Sequence, residues 1–587
     1  MPIRSVLRAC TGLGLGPRKR VASRAVAGGL AKSRGRRARE AFAIRSPACW
    51  RHTCNHAVFR AKLPAVPVEA RRTVSDLVSE LAVSQSAIDD ARDMFVANAA
   101  MDPWRLGYAA AVLNATVFLI ASGLASAMGP VSLATLANID LAFLAGSLVS
   151  FGLMIRGGGQ LAAISYFVLG SGLLFGFGTY YSAVLADETM YQHFSLDDQL
   201  RLLPKVDLVN AVAVTIVLLV AWPQCRNNAN EGAVARSLDE LSSVILRILP
   251  LLLVLCVPVV VLQFLTFPRL PNATLQSLLE HGGQAVSGVL LLAGMQWSKL
   301  GNPQRLFVLG LLTATSMLGF VGFSKEAALM PLAAMTAGML LDLKSRRTLA
   351  VLLLGIVPFY FFFAAPLVGV ARSNPLNRPE NSFSQNLAIL ETSSQLGTSL
   401  LAASSRTDSP VLGGLQLFTR FGDAPLQAWL IEQYDTGDPG HSLDTAWTNA
   451  IPRLLWPNKP NNNPGVDLDN KFFNRGGISA LAPTFCGEGY WNYGWIGVIA
   501  VSVLLGLEFG WYTRKWFRFG KEGLASAGIL VTSPLIAFQS FWVESSVAGA
   551  YVGGFVMLFV LTIFADWALP NFIRAALQFR FGDTEQA

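Results

Sequence analysis

Residues 244–267 read VILRILPLLLVLCVPVVVLQFLTF, with Arg247 the single charge in a run long enough to cross a bilayer as a helix. Outward from it the same texture recurs. Apolar runs lie at 107–125, 130–154, 161–186, 207–223 and 283–297, then at 304–322, 326–343, 348–371, 488–512, 523–541 and 546–566, about twelve with the first. With 52% hydrophobic and only 14% charged residues among 587, the chain is too apolar for a water-soluble protein. The expected fold is all-α: a polytopic integral membrane helix bundle of about twelve spans, with the lipid bilayer as its first partner.

The net charge of +9 invites a nucleic-acid reading, but residues 1–62 hold fifteen Lys/Arg against one acid, Glu40, so the remainder is net acidic. No nucleic-acid partner is expected. The basic tail, 1–100, fits a transit-peptide composition, a cytoplasmic segment held at anionic lipid, or upstream sequence ahead of a start at Met94 or Met101. It is expected to be disordered or to precede the true start of translation. Cys10, Cys49 and Cys54 sit in that tail, and Cys225, Cys256 and Cys486 are scattered, which gives neither a disulfide framework nor metal-ligand spacing. No metal and no cofactor is expected.

Lys/Arg enrichment marks cytoplasmic loops. One face of the alternating spans collects the tail, Arg156, Lys299 with Arg305, KSRR at 344–347 and RKWFRFGK at 514–521. The other collects the acidic 187–207 loop and the long 372–485 segment. Both termini, including the 567–587 tail, are therefore expected in the cytoplasm, with spans one to nine in 101–371, spans ten to twelve in 486–566, and the long loop outside. In a bacterium that places the chain in the inner membrane and the loop in the periplasm.

A connection of this length exceeds the roughly 12 to 15 residues beyond which loops are functional or disordered. Its eight Lys/Arg against ten Asp/Glu exclude a generic polybasic surface. Apolar periodicity predicts a helix over 381–404, another over 411–434 interrupted by the charged patch at 420–423, a stop at DTGDPG (435–440), and a third helix over 443–456 ended by Pro457, Pro460 and Pro464. These pieces are too few to close their own core, and are expected to lie across the mouth of the bundle.

Within this loop, IPRLLWPNKP (451–460) carries the pattern P-R-x-L-x-P-x-K-P, and APTFCGEGYWNYGWIG (482–497) leads into the next span. GFSKEAALMPL (322–332) stands at the external end of a mid-chain span. Together with the late external loop, these resemble Wzy-type O-antigen or oligosaccharide repeat-unit polymerases. The likeness covers about residues 105–566, with specific motifs confined to about 451–497. The loop lacks an Arg followed eleven residues later by Gly, a spacing described for some members, so those arginines are not carried over one to one.

The resemblance implies polymerisation of polyprenyl-pyrophosphate-linked oligosaccharides by a glycosyltransferase, with inversion and without a bound metal. It also implies a flippase and a chain-length regulator as partners, and an O-antigen, capsule or exopolysaccharide as product. Such chemistry needs cations for the leaving pyrophosphate, a group to orient or deprotonate an acceptor hydroxyl, and an apolar groove.

Arg453 and Lys459 are the first candidates for the diphosphate; the plainer reading has Arg453 capping a helix and Lys459 solvated. Arg420 is a second cation, alternatively paired with Asp423. Arg372 fits the diphosphate or an interface anchor. Lys325 acquires a phosphate role through the resemblance, against a helix start capped by Ser324. Glu488 is the candidate base beside Tyr490 and Asn492, or a structural acid paired with Arg453. Trp491, Tyr493 and Trp495 fit sugar stacking or an aromatic belt. Asp140 and Glu508 are acids within spans, where ionisable groups are functional candidates.

Two other classes compete. A transporter or lipid-linked oligosaccharide flippase would show internal duplication, which the sequence lacks; an O-antigen-ligase-like transferase would use the same cations.

Overall fold

The computed structural model describes residues 102–129, 131–180, 196–225, 231–266, 273–359, 367–368, 371, 374, 376, 381–404, 424–451, 455–456, 459, 464–473, 483–543 and 545–581. The readings made for the 1–100 tail, Arg372, Arg420 and Arg453 fall outside them. Among the described residues the chain is all helical, with no strand.

The helices are α1 (Pro103–Ala127), α2 (Leu133–Arg156), α3 (Ala163–Ser171), α4 (Leu196–Cys225), α5 (Glu231–Leu265), α6 (Ala273–Met295), α7 (Asn302–Val321), α8 (Lys325–Leu341) and α9 (Arg346–Phe359). After them come α10 (Phe383–Ser404), α11 (Ala424–Asp435), α12 (Pro464–Phe473), α13 (Phe485–Glu522), α14 (Gly528–Phe541) and α15 (Gly554–Phe581). Local chemistry sets several starts: the Asp102 carboxylate accepts from Trp104 N ahead of Pro103, Ser132 Oγ from Thr135 N, and Ser324 Oγ from Ala327 N.

Eight helices among the described residues are long and apolar enough to cross a membrane. Three more apolar stretches, Gly282–Met295, Ala327–Leu341 and Gly528–Phe541, are shorter, and of the predicted 348–371 run the part up to Phe359 is described as helix. The short α6 and α8 compensate by close approach: a Cβ on Gly338 would lie 2.1 Å from Leu291 O. Small residues at such a crossing let two backbones touch where no hydrophobic effect drives association.

The central element is α13, packed along α4 and also against α3, α5 and α14. Its inward face carries Phe509, Tyr512 and Trp516, all fully buried, and Trp516 Nε1 donates to Gly158 O at 2.7 Å. The helix is interrupted at Tyr493 and Gly494, the latter at φ +58°. A Cβ on Gly494 would meet the Tyr434 ring at 2.7 Å, and one on Gly497 would sit 1.9 Å from Gly489 O. The predicted span at 488–512 is thus two pieces: a short leading helix folded close over the start of the membrane-length one.

The long loop behaves partly as predicted. The 381–404 helix is α10, the 411–434 prediction is met by α11 over the described part, and the chain turns at Gly437 (φ +90°) inside DTGDPG. The predicted 443–456 helix is a correction: among the described residues of that stretch only a 3₁₀ turn, Ala446–Ala450, forms. Asn492 Oδ1 captures Leu443 N at 3.0 Å, and Pro452 restricts the residue before it, so too few free residues remain to nucleate an α-helix. The α11 helix shares the bundle's core through Leu430 and Ile431, both fully buried.

Candidate functional site

Three sequence candidates, Glu488, Tyr490 and Asn492, lie on the short leading helix of α13, whose first turn is capped by Thr484 Oγ1 accepting from Gly487 N at 3.0 Å. They serve two contacts. Glu488 is fully buried; its Oε1 accepts from Ser442 Oγ at 2.7 Å and its Oε2 from Val547 N at 2.6 Å. Val547 opens the π-helical turn Val547–Gly553 leading into α15, so the carboxylate sits at a helix N-terminus, where a negative charge is favoured. Asn492 completes the clasp, donating from Nδ2 to Ser442 Oγ at 3.1 Å and to Glu488 O at 2.8 Å.

Tyr490 faces elsewhere. Its hydroxyl donates to Asp435 Oδ1 at 3.1 Å, the Lys205 ammonium lies 5.0 Å from its ring centroid, and Lys205 is paired with Asp435. One turn away Arg201 pairs with Glu432 at 3.0 Å, so two cations of α4 bind two acids of α11. Deeper on the same contact, Gln427 Nε2 and the Cys486 thiol both donate to Asn210 Oδ1, at 2.6 and 3.0 Å. Buried polar groups are matched here, which fixes where α11 docks.

Outside the clasp, the 438–459 segment carries exposed chemistry. Asp444 accepts from the Tyr493 hydroxyl and lies 3.1 Å from His441 Nδ1. The hydrogen bond from Tyr493, and then the one from His441, hold the Asp444 carboxyl below the ordinary carboxylate value. Trp447 is 59% exposed and its ring centroid lies 6.1 Å from that of Trp456. Lys459 Nζ donates to Ile451 O at 3.1 Å. Asn449 Nδ2 donates to Ala548 O at 2.9 Å.

Lys325 is the first residue of α8, at a corner where Phe323 takes φ +52°, a conformation side chains disfavour. The capping reading for Ser324 holds there. Asn386 Nδ2 of α10 donates to Val321 O at 3.0 Å, seating the loop helix on this corner. Trp491 is buried, with Lys471 Nζ 5.8 Å from its ring, which is packing rather than an exposed stacking face; Tyr493 and Trp495 are exposed.

Sequence reading missed Lys205, Asp435, Ser442 and the Asp444–His441 pair. Lys205 and Asp435 are ordinary surface residues in sequence, 230 positions apart, and carry no local signal. His441 and Asp444 have the i, i+3 spacing that could have drawn notice.

No family model matches this chain, and neither a curated protein nor a solved structure does.

Proposed function

We propose that this chain is a membrane glycosyltransferase that polymerises polyprenyl-pyrophosphate-linked oligosaccharide repeat units into a surface polysaccharide. The full reading has about twelve spans, cytoplasmic termini and the 372–485 loop on the periplasmic side of a bacterial inner membrane. The observation that carries it is a convergence. Val547 and Ala548, consecutive residues, receive Glu488 from one resemblance motif and Asn449 from the turn leading into the other. Glu488 in one motif and Asn449, just ahead of the other, therefore share one anchor at the head of α15.

In this arrangement Glu488 is a positioning residue, since both oxygens are engaged. It holds the 442–450 segment, whose exposed Trp447, with the half-buried Trp456 ring beside it, offers a surface for a sugar ring. Beside it Lys459, with Arg453 in the same motif, would meet the pyrophosphate, where charge placed at the leaving group lowers the barrier most. His441, oriented by Asp444, supplies an imidazole of the kind that accepts a proton from an acceptor hydroxyl. The transferred sugar's anomeric carbon bonds to that hydroxyl oxygen, its bond to the pyrophosphate oxygen breaks, and the proton passes to the base.

The test is to express the chain with lipid-linked repeat units in membranes and resolve glycan length for the wild type and Arg453→Ala at matched protein level. A ladder that collapses to single repeats in the variant supports the reading. Transfer of a single glycan to another acceptor without any ladder would point to a ligase-like transferase. Movement of unpolymerised units across the membrane would point to a transporter, a reading that the buried acids Asp140 and Asp207 favour.

A further inference from the structure

Asp140 of α2 and Asp207 of α4 are both fully buried, and each lies within a helix long and apolar enough to span a membrane. Asp140 is about 10 Å along α2 from its start. Among the described residues neither acid has an ion-pair partner, and Lys205, two residues from Asp207, is engaged by Asp435 on α11. Two unpaired carboxylates at this depth would cost several kcal/mol each, about as much as a whole domain's margin when taken together.

Helix register brings further oxygens to the same level. Phe118 and Phe143 stack at 4.2 Å across the α1–α2 contact. The buried stripe of α1 runs on from Phe118 to Ser122, and that of α2 runs back from Phe143 to Asp140. Antiparallel packing therefore sets Ser122 level with Asp140. Against α4, Thr215 reaches Ala115 O at 3.4 Å, and a Cβ on Gly123 would lie 3.8 Å from Leu208, which sets Ser122 level with Asp207 as well.

The fourth wall is the π-helical turn Gly172–Phe177 that continues α3. A Cβ on Gly176 would stand 2.8 Å from Asp140 O, so the turn touches α2 at this acid, and the buried Thr179 hydroxyl comes next, beside Asp207. Such turns insert a residue into a helix and re-aim the side chains beyond it, often at functional sites.

What singles out the cluster is its unused valence. Both oxygens of Asp140 and Ser122 Oγ are buried without a hydrogen-bond partner, and the equally buried Asp207 has the Thr179 hydroxyl beside it. Ser122 is telling, because hydroxyls in apolar helices usually turn back to a carbonyl one turn earlier. Thr116 on the same helix does so, to Val112 O at 2.8 Å. The two carboxylates interact through space without a direct hydrogen bond between them.

We propose that Asp140, Asp207, Ser122 and Thr179 form a binding site for one small monovalent cation of the Na⁺ class inside the helix bundle. The donors are all hard oxygens, which suit alkali and alkaline-earth ions. Among the described residues no third acid joins them, since no group of three His, Cys, Asp or Glu able to hold a metal exists there. Ca²⁺ takes about six to eight oxygens, so it would need every oxygen these four side chains carry, and Mg²⁺ retains several waters, which a site between apolar helices disfavours. Na⁺ with one proton neutralises the two carboxylates.

The experiment is thermal unfolding of the purified full chain in detergent, with NaCl, KCl, CaCl₂ or choline chloride at equal ionic strength. Equilibrium dialysis with ²²Na⁺ accompanies it. A ligand that binds only the folded state raises the midpoint in proportion to the logarithm of its concentration. Wild type is expected to be stabilised by NaCl over choline chloride and to retain one ²²Na⁺ per chain. Asp140→Asn and Asp207→Asn should abolish both effects. Ser122→Ala, which removes one hydroxyl and no charge, should weaken Na⁺ about tenfold or more while the chain still folds. Equal midpoints in NaCl and choline chloride, with no retained ²²Na⁺, overturn the proposal. Stabilisation by CaCl₂ but not NaCl overturns the choice of ion, and a Na⁺ effect unchanged in Ser122→Ala and both Asp variants overturns the location.

Discussion

Glu488 Oε2 accepts the Val547 backbone N–H at 2.6 Å, so a residue of the leading turn of α13 closes the N-terminus of the helix that ends the bundle. With Ser442 on its other oxygen, this carboxylate joins three stretches of chain that are each short of local hydrogen-bond partners. Removing it leaves the buried Val547 amide without its acceptor and takes from Ser442, which Asn492 still reaches, the oxygen to which it donates.

Glu488→Ala should therefore destabilise the protein by about 2–4 kcal/mol, and Glu488→Gln by less, because the amide oxygen still accepts one of the two bonds. Thermal unfolding in detergent reads both. Equal, negligible shifts would mean the clasp contributes nothing to the fold, and would return Glu488 to the role of a catalytic base.

The Lys205–Asp435 pair is partly exposed, with side-chain exposures of 27% and 38%, and its Coulomb energy is screened accordingly. A double-mutant cycle with Lys205→Ala and Asp435→Ala should give a coupling of roughly 0.5–1 kcal/mol. A coupling indistinguishable from zero would show that α11 is held by the buried Gln427, Asn210 and Cys486 contacts alone.

Trp447 is tested by function rather than stability. Trp447→Ala should change the unfolding free energy by no more than about 0.5 kcal/mol, as exposed substitutions do. In the same membranes it should shorten the glycan ladder by weakening sugar contact. An unaltered ladder would remove the Trp447–Trp456 surface from the proposed site.

The Tyr493–Asp444 contact should respond to acid. Because Asp444 is held below its ordinary value of about 4, its contribution is fully present above that pH and is lost as pH falls through the lower folded value. Tyr493 fluorescence and local proteolysis near 444 should be constant from about pH 5 upward and change only below about pH 4. A change centred well above about pH 4 would show that Asp444 does not govern the response.

Gly497→Ala places a methyl 1.9 Å from Gly489 O, where both groups are backbone and neither can rotate away. The leading turn of α13 must lift off, and the variant should be recovered at a small fraction of wild-type yield with an unfolding midpoint several degrees lower. Normal yield and midpoint would show that the two halves of α13 do not pack as described.

That this chain is a bundle of apolar helices was legible in the sequence, because the signal is local: one Arg in the run 244–267 already requires the backbone to satisfy its own hydrogen bonds as a helix. The caps at Asp102, Ser132 and Ser324 and the turn at Gly437 are local too. The 443–456 segment shows where local reading stops, since its apolar spacing was outweighed by Asn492, which periodicity cannot see. Only the tertiary structure decided that Glu488 meets Val547 and that Lys205 meets Asp435. Such pairings are fixed by helix register and close backbone approach, as at Gly176 and Gly497, and these depend on the facing helix rather than on the residue's own neighbours in sequence.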